Sequence, residues 1–537
     1  MEWIDRSNER SQQILFATSL DEAIPWDHPL RLFVQIIGRL DLGSLTNGYS
    51  PGLGRPGIHP RVMVSVLLWG LLSGVRTSRK LEEALQYRLD FRWLTGGLSI
   101  DHSTLSLFRH SRKTELKALF QQLVLLAQEV GLVDFRRAAF DGTRVKANNR
   151  RTGSRTASQL QSERVAAAKL FDELEAAAAQ EDAERVPGLQ ALSAPLPAAL
   201  IDAGRRLEAI DAALAELARA EAAGEALPPR IPITDPESRI MPNKEGGFAP
   251  NYTPTALVDV KSGIVTDCDV TSEVSDDNLV LPAIQRVQNN FGDNAKPEEV
   301  LLDQAFPNGS NLTQLEAAGI TCYSPTDVTD PAQHPARRAD LTQPVSAEQL
   351  LQLPLMTKPK SGKLPEDQRR QFAKGAFVYD EAADVYYCPQ GKMLTYRNTS
   401  PEQRRGQPTV LRRRYESQPA DCSGCLLRQK CLQDTTTKKR TVSRDQYEPV
   451  RERHATRMAQ PAAQEIYKKR RHAAERPFAF IKQNLGARQF LLRGLERVKQ
   501  EWRWLVSAFN IRCLLSAWPS RAGPAVNQSP MPATTGC

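Results

Sequence analysis

The order of strand-like and helix-like segments between residues 135 and 325 constrains the fold of this chain most strongly. FRRAAFDGTRVKAN at 135–148 is the first strand candidate. TALVDV and IVTDCDV then flank the turn Lys261-Ser262-Gly263, which predicts a β-hairpin. The remaining segments are, in chain order, a helix over 276–292, the buried strand EEVLLDQAF at 298–306, a helix over 310–319 and the strand ITCYSP at 320–325.

This order predicts an α/β fold built on one mixed sheet. The first three strands are expected to pair as an antiparallel meander, and the two later strands, which helices separate, are expected to add in parallel. A three-layer sheet of this order is the ribonuclease-H-like arrangement. Because the first and fourth strands are neighbours in it, side chains near their ends can meet.

The rest of the chain is predicted to divide around this core. Within the N-terminal part, three helices are expected at 62–75, 78–87 and 103–130, and LDFRWLTGGLSID joins the last two. The predicted parts are a helical N-terminal domain at 1–130, the first core strand at 131–151, an inserted helical hairpin and linker at 152–250, the core at 251–326, an insertion with a cysteine cluster at 327–444, the C-terminal part of the core at 445–517 and a disordered tail at 518–537. The Pro-rich, polar stretch from 325 to about 375 is interpreted as a linker or insertion.

The distribution of charge indicates a polyanionic partner. The net charge of the whole chain is +9, but residues 397–512 hold 27 Lys and Arg against 11 Asp and Glu, a net of +16 that leaves −7 elsewhere. Such a block favours nucleic acid first and an anionic membrane second. Arg109, Arg112 and Lys113 on the third helix are further candidates to face DNA, although a solvated helix face explains them equally well.

Neither the N-terminus nor the apolar runs predict membrane insertion. MEWIDRSNER lacks the pattern of a secretory signal. The longest apolar run, 62–75, has 14 residues, fewer than the roughly 20 that cross a bilayer. A cytoplasmic protein with reduced cysteines is therefore expected.

Asp141 and Asp303 are the first candidate metal ligands. Phosphodiester chemistry with Mg²⁺ needs two or three carboxylates that converge on two ions about 4 Å apart. Asp141 lies in the first predicted strand and Asp303 towards the end of the fourth, so the two can meet. The candidate third ligand is Glu475, in YKKRRHAAERPFAFIKQNLGARQF. Each carboxylate also has an ordinary explanation, either as a turn former or, for Glu475 with Arg471 at i,i+4, as a surface salt bridge.

Two basic positions accompany Glu475. Lys482 follows it by seven residues, two helical turns, and is predicted to share its face and to hold a phosphate oxygen. Arg470 or Arg471, about one turn earlier, is a candidate for the same role. Pro477 predicts that Glu475 lies at a helix start or at a kink.

These motifs resemble those of the DDE transposases of bacterial insertion sequences. The resemblance rests on Asp141 in AAFDGTRVKAN, Asp303 in VLLDQAFPNGSNLTQLEAAGI and Glu475 in ERPFAFIK. Tyr467, the arginine, Glu475 and Lys482 are similar to the signature of the branch with a Tyr-Arg-Glu-Lys motif. GRPGIHPRVMVSVLLWGLLSGVRTSRKLEEALQYRLDFRWLTGG with DHSTLSLFR resembles that branch's N-terminal domain, and FLLRGLERVKQEW at 490–502 resembles the helix after its catalytic Glu.

The resemblance implies a function, cofactors and partners. Asp141, Asp303 and Glu475 would bind Mg²⁺ or Mn²⁺, and Lys482 and Arg471 would assist. The expected partner is double-stranded DNA, both the terminal inverted repeats of the element and the target DNA. The protein is expected to bind paired DNA ends as a homodimer. It is expected to be associated with the nucleoid and to have no membrane contact. The chain departs from the family at Gln304-Ala305-Phe306, where a small residue, Gly and Tyr are usual, and at Ala479, where Gly is common.

A cysteine cluster forms a second candidate metal site. Cys388 in YYCPQGKML is followed by Cys422, Cys425 and Cys431 in DCSGCLLRQKC. The Cys-x2-Cys pair presents two thiolates to one ion, and the other two could complete a tetrahedral zinc site. Reduced, unligated thiols are the alternative. Related transposases carry a similar Cys-rich insertion. The remaining cysteines in apolar stretches, expected to be core residues, are Cys268, Cys322 and Cys513.

The cysteine cluster is surrounded by basic residues that suit phosphate contacts. Simple solvated charge is the alternative for any one of them. They are Arg404, Arg405, Arg412, Arg413, Arg414, Lys438, Lys439 and Arg440.

Three functions are compatible with this pattern. The first is a DNA transposase that hydrolyses a phosphodiester at each element end and joins the released 3′-hydroxyl to target DNA. The second is a nuclease of the same fold that cuts without joining. The third is a DNA-binding protein, such as a degenerate copy that acts as a repressor.

Overall fold

The computed structural model is a mixed α/β protein. It describes residues 19–46, 57–149, 153–184, 198–225, 227–243, 246–273, 278–304, 306–358, 369–403, 409–434 and 436–518. The helices in these ranges are α1 Pro29–Gly38, α2 Gly43–Thr46, α3 Pro60–Leu72, α4 Ser78–Tyr87, α5 Leu89–Thr95, α6 His102–Ser111, α7 Lys113–Glu129, α8 Ala157–Glu184, α9 Ala198–Ala222, α10 Val280–Phe291, α11 Gly309–Ala317, α12 Ala347–Gln352, α13 Pro419–Ser423, α14 Arg428–Cys431, α15 Glu448–Met458, α16 Pro461–Gln483 and α17 Leu495–Ala517.

The strands form one central sheet and smaller sheets. They are β1 Arg137–Gly142, β2 Val145–Lys146, β3 Ser154–Arg155, β4 Ile231–Pro232, β5 Arg239–Pro242, β6 Phe248–Asp259, β7 Val265–Thr271, β8 Glu299–Leu301, β9 Thr321–Tyr323, β10 Leu355–Thr357, β11 Arg370–Phe372, β12 Val378–Asp380, β13 Val385–Tyr387, β14 Met393–Glu402, β15 Val410–Ser417 and β16 Thr441–Asp445.

The central sheet has the strand order and directions that the sequence predicts. β6 lies between β1 and β7 and is antiparallel to both, whereas β8 is parallel to β1 and β9 is parallel to β8. The turn between β6 and β7 is closed by the Asp259 carboxylate, which accepts hydrogen bonds from the Ser262 backbone and hydroxyl, and Gly263 supplies the positive φ of 75°. The predicted β-hairpin is therefore confirmed.

β6 begins earlier than the sequence suggests. The expected strand started at residue 255, but the structure begins it at Phe248 and pairs its first half with β2 and β5. Pro250 and Pro254 obscured this extension, because proline in a strand usually indicates an edge or an end. The carbonyl of Pro254 still accepts a hydrogen bond from Thr143.

Helices cover both faces of the sheet. On one face, Ala139 and Leu301 pack with Ala473 and Ala474 of α16. On the other face, Ala138, Phe140, Val300 and Leu302 belong to a large core that includes α10 and α17. α17 is also fixed by hydrogen bonds, since Trp502 donates to the Thr255 carbonyl and Asn510 pairs with the Val265 backbone.

The N-terminal helices share the core of α17. Residues of α1, α3, α4 and α7 pack in the same buried cluster as α17 and the sheet. The predicted single helix over 103–130 is wrong, because the backbone leaves the helical region at Arg112, with φ −115° and ψ 55°, and separates α6 from α7. LDFRWLTGGLSID also contains a helix, α5, which ends at Gly96 in the left-handed conformation.

Arg76 and Arg109 connect the N-terminal helices to the C-terminal part of the chain. Arg76 forms a buried ion pair with Glu501 at 2.7 Å and donates to the carbonyl groups of Gly486 and Gln489. Arg109 donates to the Arg76 carbonyl, and burial lowers the pKa of its guanidinium. The hypothesis that Arg109 faces DNA is therefore wrong. Arg112 lies 3.5 Å from Glu115, and the side chain of Lys113 is outside the described part of the structure.

The insertion after β3 consists of the two long helices α8 and α9. They pack around Leu160 and Ala167 of α8 and Ile210 and Ala213 of α9, together with Ile231. The break ERVPGLQALSAPLP falls almost entirely in residues 185–197, outside the described residues.

The stretch from 325 to 375 is more ordered than a linker. It contributes α12, β10 and β11, and its residues Ala336, Leu353 and Phe372 pack with Tyr415 and Val442 in one core. That core belongs to the sheet β12-β13-β14-β15-β16 of the cysteine insertion. The sequence did not predict this because the stretch lacks a regular apolar period and packs against residues such as Tyr415 and Val442, which follow much later in the chain.

α16 is continuous through Pro477, so the prediction that a helix starts at Glu475 is wrong, whereas a kink there stays a prediction. Glu475 lies inside the helix. Because Pro477 has no N–H, the carbonyl group four residues before it lacks its usual helical hydrogen-bond donor.

The predicted disordered tail, apart from residue 518, falls in residues 519–537, outside the described part. In the ranges that the structure describes, no helix has the length and apolar character needed to span a membrane.

Candidate active site and cysteine cluster

The register of β1 and β8 brings Asp141 and Asp303 to the same level. Ala139 is the partner of Leu301 in this parallel pair, and each aspartate follows its partner residue by two positions. Residues two apart in extended chain share a face, and neighbouring strands lie about 4.8 Å apart. Since Ala139 and Leu301 face α16, both aspartates are directed to that side of the sheet.

The two carboxylates are held in the same way. Oδ1 of Asp141 accepts a hydrogen bond from the Gly142 N–H, and Oδ1 of Asp303 accepts one from the Gln304 N–H, both at 2.8 Å. The second oxygen of each is directed to Arg470, whose Nη2 lies 3.3 Å from Asp141 Oδ2 and 3.7 Å from Asp303 Oδ2. Each carboxylate is thus oriented by its own strand end and faces a common cation.

Arg470 and Tyr467 of α16 border this pair of carboxylates. Arg470 is 7% exposed, and its Nε and Nη2 make no hydrogen bond although they are buried. Burial raises the pKa of the Tyr467 phenol; the charge of Arg470 opposes this shift, and the charges of Asp303 and Asp141 add to it. Of the two arginines that the sequence left open, Arg470 is the one at the carboxylates.

Glu475 is not brought together with the two aspartates. Its side chain is 57% exposed and lies 3.8 Å from Arg471, which is 87% exposed. Within the described residues, the one group of three or more potential metal ligands whose atoms all lie within 4.8 Å of one another is Glu82, Asp101 and His102. That group is a partly exposed ion-pair cluster between α4 and α6, and it was not predicted from the residue pattern.

Lys482 connects α16 to the loop after Asp141. Its Nζ donates to the Thr143 hydroxyl at 2.6 Å and to the Arg144 carbonyl at 2.9 Å. These contacts hold the ammonium group against the loop that follows Asp141, two residues after it. The spacing predicted that Lys482 shares a face with Glu475, but Lys482 contacts the loop after β1 whereas the Glu475 side chain is exposed beside Arg471.

The donor set of Asp141 and Asp303 fits a hard divalent cation. Carboxylate oxygens are the ligands that Mg²⁺ and Mn²⁺ prefer, and both Oδ2 atoms already face one positive group. Glu475 is not part of this set in the present arrangement, because its carboxylate pairs with Arg471.

The four cysteines of the insertion line one cavity. Cys388 follows β13, Cys422 lies in α13, Cys425 lies between α13 and α14, and Cys431 ends α14. The Lys392 N–H donates to Cys388 Sγ at 3.3 Å. This N–H to sulfur bond is favourable for a thiolate. Gly391, with φ 76°, permits the turn, because a Cβ there would lie 2.0 Å from the Thr342 carbonyl oxygen.

Two of the four thiols, those of Cys388 and Cys431, have a raised pKa. Burial raises the pKa of Cys388, and burial together with the neighbouring cysteines raises that of Cys431 to about 12 although Arg440 opposes the shift. No three of these four sulfur atoms lie within 4.8 Å of one another. In a tetrahedral zinc site they would be about 3.8 Å apart, because Zn–S bonds are about 2.3 Å. Four cysteines that line one cavity are a donor set that fits zinc, although the sulfur atoms would have to move closer together to bind one ion.

Several basic residues around the cluster are used inside the protein. Arg440 donates to the carbonyls of Cys431 and Phe372. Arg412 pairs with Glu402, Arg413 with Asp384 and Lys439 with Glu416. Arg414 and Lys438 are exposed, and Arg404 and Arg405 lie outside the described residues. Four of the eight residues thus have partners within the protein, whereas phosphate contacts stay a prediction for the set.

Comparison with protein families supports a transposase function for this α/β protein. Residues 387–515 match the family model described as Transposase DDE domain, and residues 18–111 match Transposase domain (DUF772). Together the two matches indicate a DDE transposase of the insertion-sequence type, which confirms the resemblance seen in the sequence. The family implies DNA binding and normally uses divalent metal ions. No curated protein matches the chain.

The matched ranges contain some of the candidate residues. Glu475, Lys482 and the four clustered cysteines lie within 387–515. Asp141 and Asp303 lie in the segment between the two matches. Their assignment therefore depends on the register of β1 and β8 and on their shared contact with Arg470.

Proposed function

We propose that this protein is a DNA transposase that cleaves the ends of its element with a divalent metal ion and transfers the released strand to target DNA. One observation carries the proposal: Asp141 and Asp303 stand side by side at the ends of two parallel strands and face a common cation, in a chain that matches transposase families. The strand order of the central sheet supports the interpretation of its core as ribonuclease-H-like.

In this proposal Asp141 and Asp303 hold Mg²⁺ or Mn²⁺, and Glu475 joins them when its side chain leaves Arg471. Bound there, the metal would activate a water or a 3′-hydroxyl and stabilise the leaving oxygen. The hydrogen bonds from Gly142 and Gln304 orient the carboxylates before the metal arrives.

Basic residues of α16 position the DNA strand in this account. Lys482 already lies beside the loop that follows Asp141, where its ammonium group can take a phosphate oxygen in exchange for the Thr143 hydroxyl. Arg471, which is largely exposed on the same helix, offers a second phosphate contact.

The cysteine cluster is proposed to hold one structural zinc ion. Cys388, Cys422, Cys425 and Cys431 supply four thiolates, and the metal would hold together a small sheet whose own core is limited. The alternative is a set of reduced thiols.

The proposed partners are the terminal inverted repeats of the element and a target duplex, bound by a homodimer on paired ends. Exposed arginines of the insertion, such as Arg397 and Arg414, suit the DNA backbone. The proposed division of the chain remains that of the sequence, with the helical N-terminal part as a DNA-binding domain.

Cleavage by an Asp141 variant tests this function. The substrate is a plasmid that carries the DNA flanking the reading frame, incubated with Mg²⁺. We expect Asp141→Asn to abolish strand cleavage and to leave binding of the end DNA largely intact, because the duplex contacts lie elsewhere. Asp134→Asn is the matched control, since Asp134 precedes the same strand and pairs with Lys261 at 3.0 Å. Cleavage by Asp141→Asn at the wild-type rate would overturn the proposal.

The two alternative functions give different results in the same assay. A nuclease of this fold would cut the ends but would not transfer a pre-cut end into a second plasmid. A repressor or an inactive derivative would bind the ends without any Mg²⁺-dependent cleavage by the wild-type protein.

A further inference from the structure

Arg470 and Arg471 are adjacent on α16 but have opposite environments. The side chain of Arg470 is 8% exposed and reaches both Asp141 and Asp303, whereas that of Arg471 is 87% exposed and pairs with Glu475. Every candidate metal ligand of the active site therefore has an arginine beside it. The two arginines differ in one respect, since Arg470 alone is confined between carboxylates.

Charge, rather than hydrogen bonding to the aspartates, explains the position of Arg470, whose guanidinium also has Tyr467 as a hydrogen-bond neighbour. Its Nη2 is within ion-pair distance of both aspartates, yet Nε and Nη2 make no hydrogen bond and are shielded from solvent. Buried donors without partners are unfavourable. Two adjacent carboxylates without a cation repel each other, which compensates for the poor hydrogen bonding of the guanidinium between them.

We propose that Arg470 is the counter-cation of the metal-free active site, which neutralises Asp141 and Asp303 and is displaced when the divalent metal binds. This inference rests on the proposed function, because it requires a metal at these aspartates. It assigns Arg470 a positioning role: the guanidinium balances the charge of the two carboxylates and keeps their Oδ2 atoms directed to one point until the metal replaces it.

The two cations cannot share these oxygens at full strength. A metal ion would lie about 2.1 Å from its carboxylate oxygens. Nη2 of Arg470 is now 3.3 Å and 3.7 Å from the same two atoms, so the metal and the guanidinium would be in direct repulsion in a partly buried site. Metal binding therefore includes the cost of moving Arg470, and removal of its charge should tighten metal binding.

Titration with Mn²⁺, followed by the loss of the free-ion EPR signal, tests this proposal on the full-length protein. We expect Arg470→Gln to bind Mn²⁺ about tenfold more tightly than the wild type. Arg470→Lys, which keeps the charge, should stay within about twofold of the wild type, and so should Lys468→Gln, an exposed control on the same helix whose ammonium group pairs with Glu465. Unchanged or weaker Mn²⁺ binding by Arg470→Gln would overturn the proposal.

Asp141→Asn separates a failure of this inference from a failure of the proposed function. If Mn²⁺ binding by the wild type does not depend on Asp141, the metal site itself is wrong and both proposals fail. If binding depends on Asp141 but Arg470→Gln does not tighten it, the metal site stands and the counter-cation role is wrong.

A second measurement uses the wild-type protein, in case Arg470→Gln does not fold. Phenylglyoxal modifies accessible guanidinium groups, and mass spectrometry locates the modified peptide. We expect Arg470 to be protected without metal and to react at least about threefold faster with Mn²⁺, because displacement exposes a side chain that is now buried. The increase should be absent in Asp141→Asn. Equal reactivity of wild-type Arg470 with and without Mn²⁺ would contradict the displacement.

Discussion

Neighbouring residues of one helix can have unrelated roles, as Arg470 and Arg471 show. The sequence placed an arginine about one turn before Glu475 but could not choose between the two. The choice depends on the rotation of α16 about its axis, which is set by the packing of Ala473, Ala474 and Pro477 on the sheet side. Arg470 shares that face, and Arg471 does not. Such a rotation follows from tertiary packing and is not encoded in residue spacing alone.

Glu475 gives the residue-scale prediction. Glu475→Gln removes one negative charge from the proposed metal site, and we expect Mg²⁺-dependent cleavage to fall on the order of a hundredfold. The matched control is Glu465→Gln, an exposed glutamate of the same helix that also pairs with a basic neighbour, Lys468. Both variants should bind end DNA as the wild type does. Equal cleavage by the two variants would show that Glu475 is only a surface ion-pair residue.

At the scale of secondary-structure elements, the sheet was the best predicted part of the fold. Alternating apolar patterns and turn residues predicted five of the seven strands of the mixed sheet, and with them the level of Asp141 and Asp303. The first half of β6 was not predicted, because Pro250 and Pro254 are atypical of a strand interior and obscure the strand pattern. The elements between 325 and 375 were not predicted because their apolar residues complete a core only with distant partners such as Tyr415 and Val442.

Removal of zinc tests whether the cysteine insertion binds a metal ion that stabilises its fold. We expect about one zinc per wild-type chain and a lower melting temperature after chelation, because metal binding stabilises a fold with a small core. Cys425→Ser should lose zinc, whereas Cys513→Ser, in the core of α17, should retain it even if it destabilises the protein. Elemental analysis and thermal unfolding measure both quantities. Wild-type protein free of zinc, with a melting temperature insensitive to chelators, would favour unligated thiols.

At the scale of the whole molecule, the N-terminal and C-terminal parts of the chain form one packed unit. The composition revealed a +16 block but not which of its charges are used internally. The structure shows that α17 is buried between the sheet and the N-terminal helices, and that Arg76 reaches Glu501 across this interface. Contacts between residues more than 400 positions apart leave no local pattern in a sequence, so the packing of the N-terminal helices against α17 could not be predicted.

Substitution of Arg76 tests how much this ion pair contributes to the interface between the N-terminal helices and the C-terminal part of the chain. Arg76→Met leaves the buried carboxylate of Glu501 without its cation, and we expect the free energy of unfolding to fall by about 3–5 kcal/mol. Arg136→Met breaks an exposed pair with Glu298 and should have no measurable effect. Urea unfolding compares the two variants. A small effect of Arg76→Met, equal to that of Arg136→Met, would show that the interface does not depend on this ion pair.

The central claim is that Asp141 and Asp303 form the metal site of a transposase. Anomalous diffraction from crystals grown with Mn²⁺ and end DNA tests it most directly. The account predicts an anomalous peak about 2.1 Å from Asp141 Oδ2 and Asp303 Oδ2, with Nη2 of Arg470 moved away from both. Density for Mn²⁺ elsewhere but none at these two oxygens, with Arg470 still between them, would contradict the account.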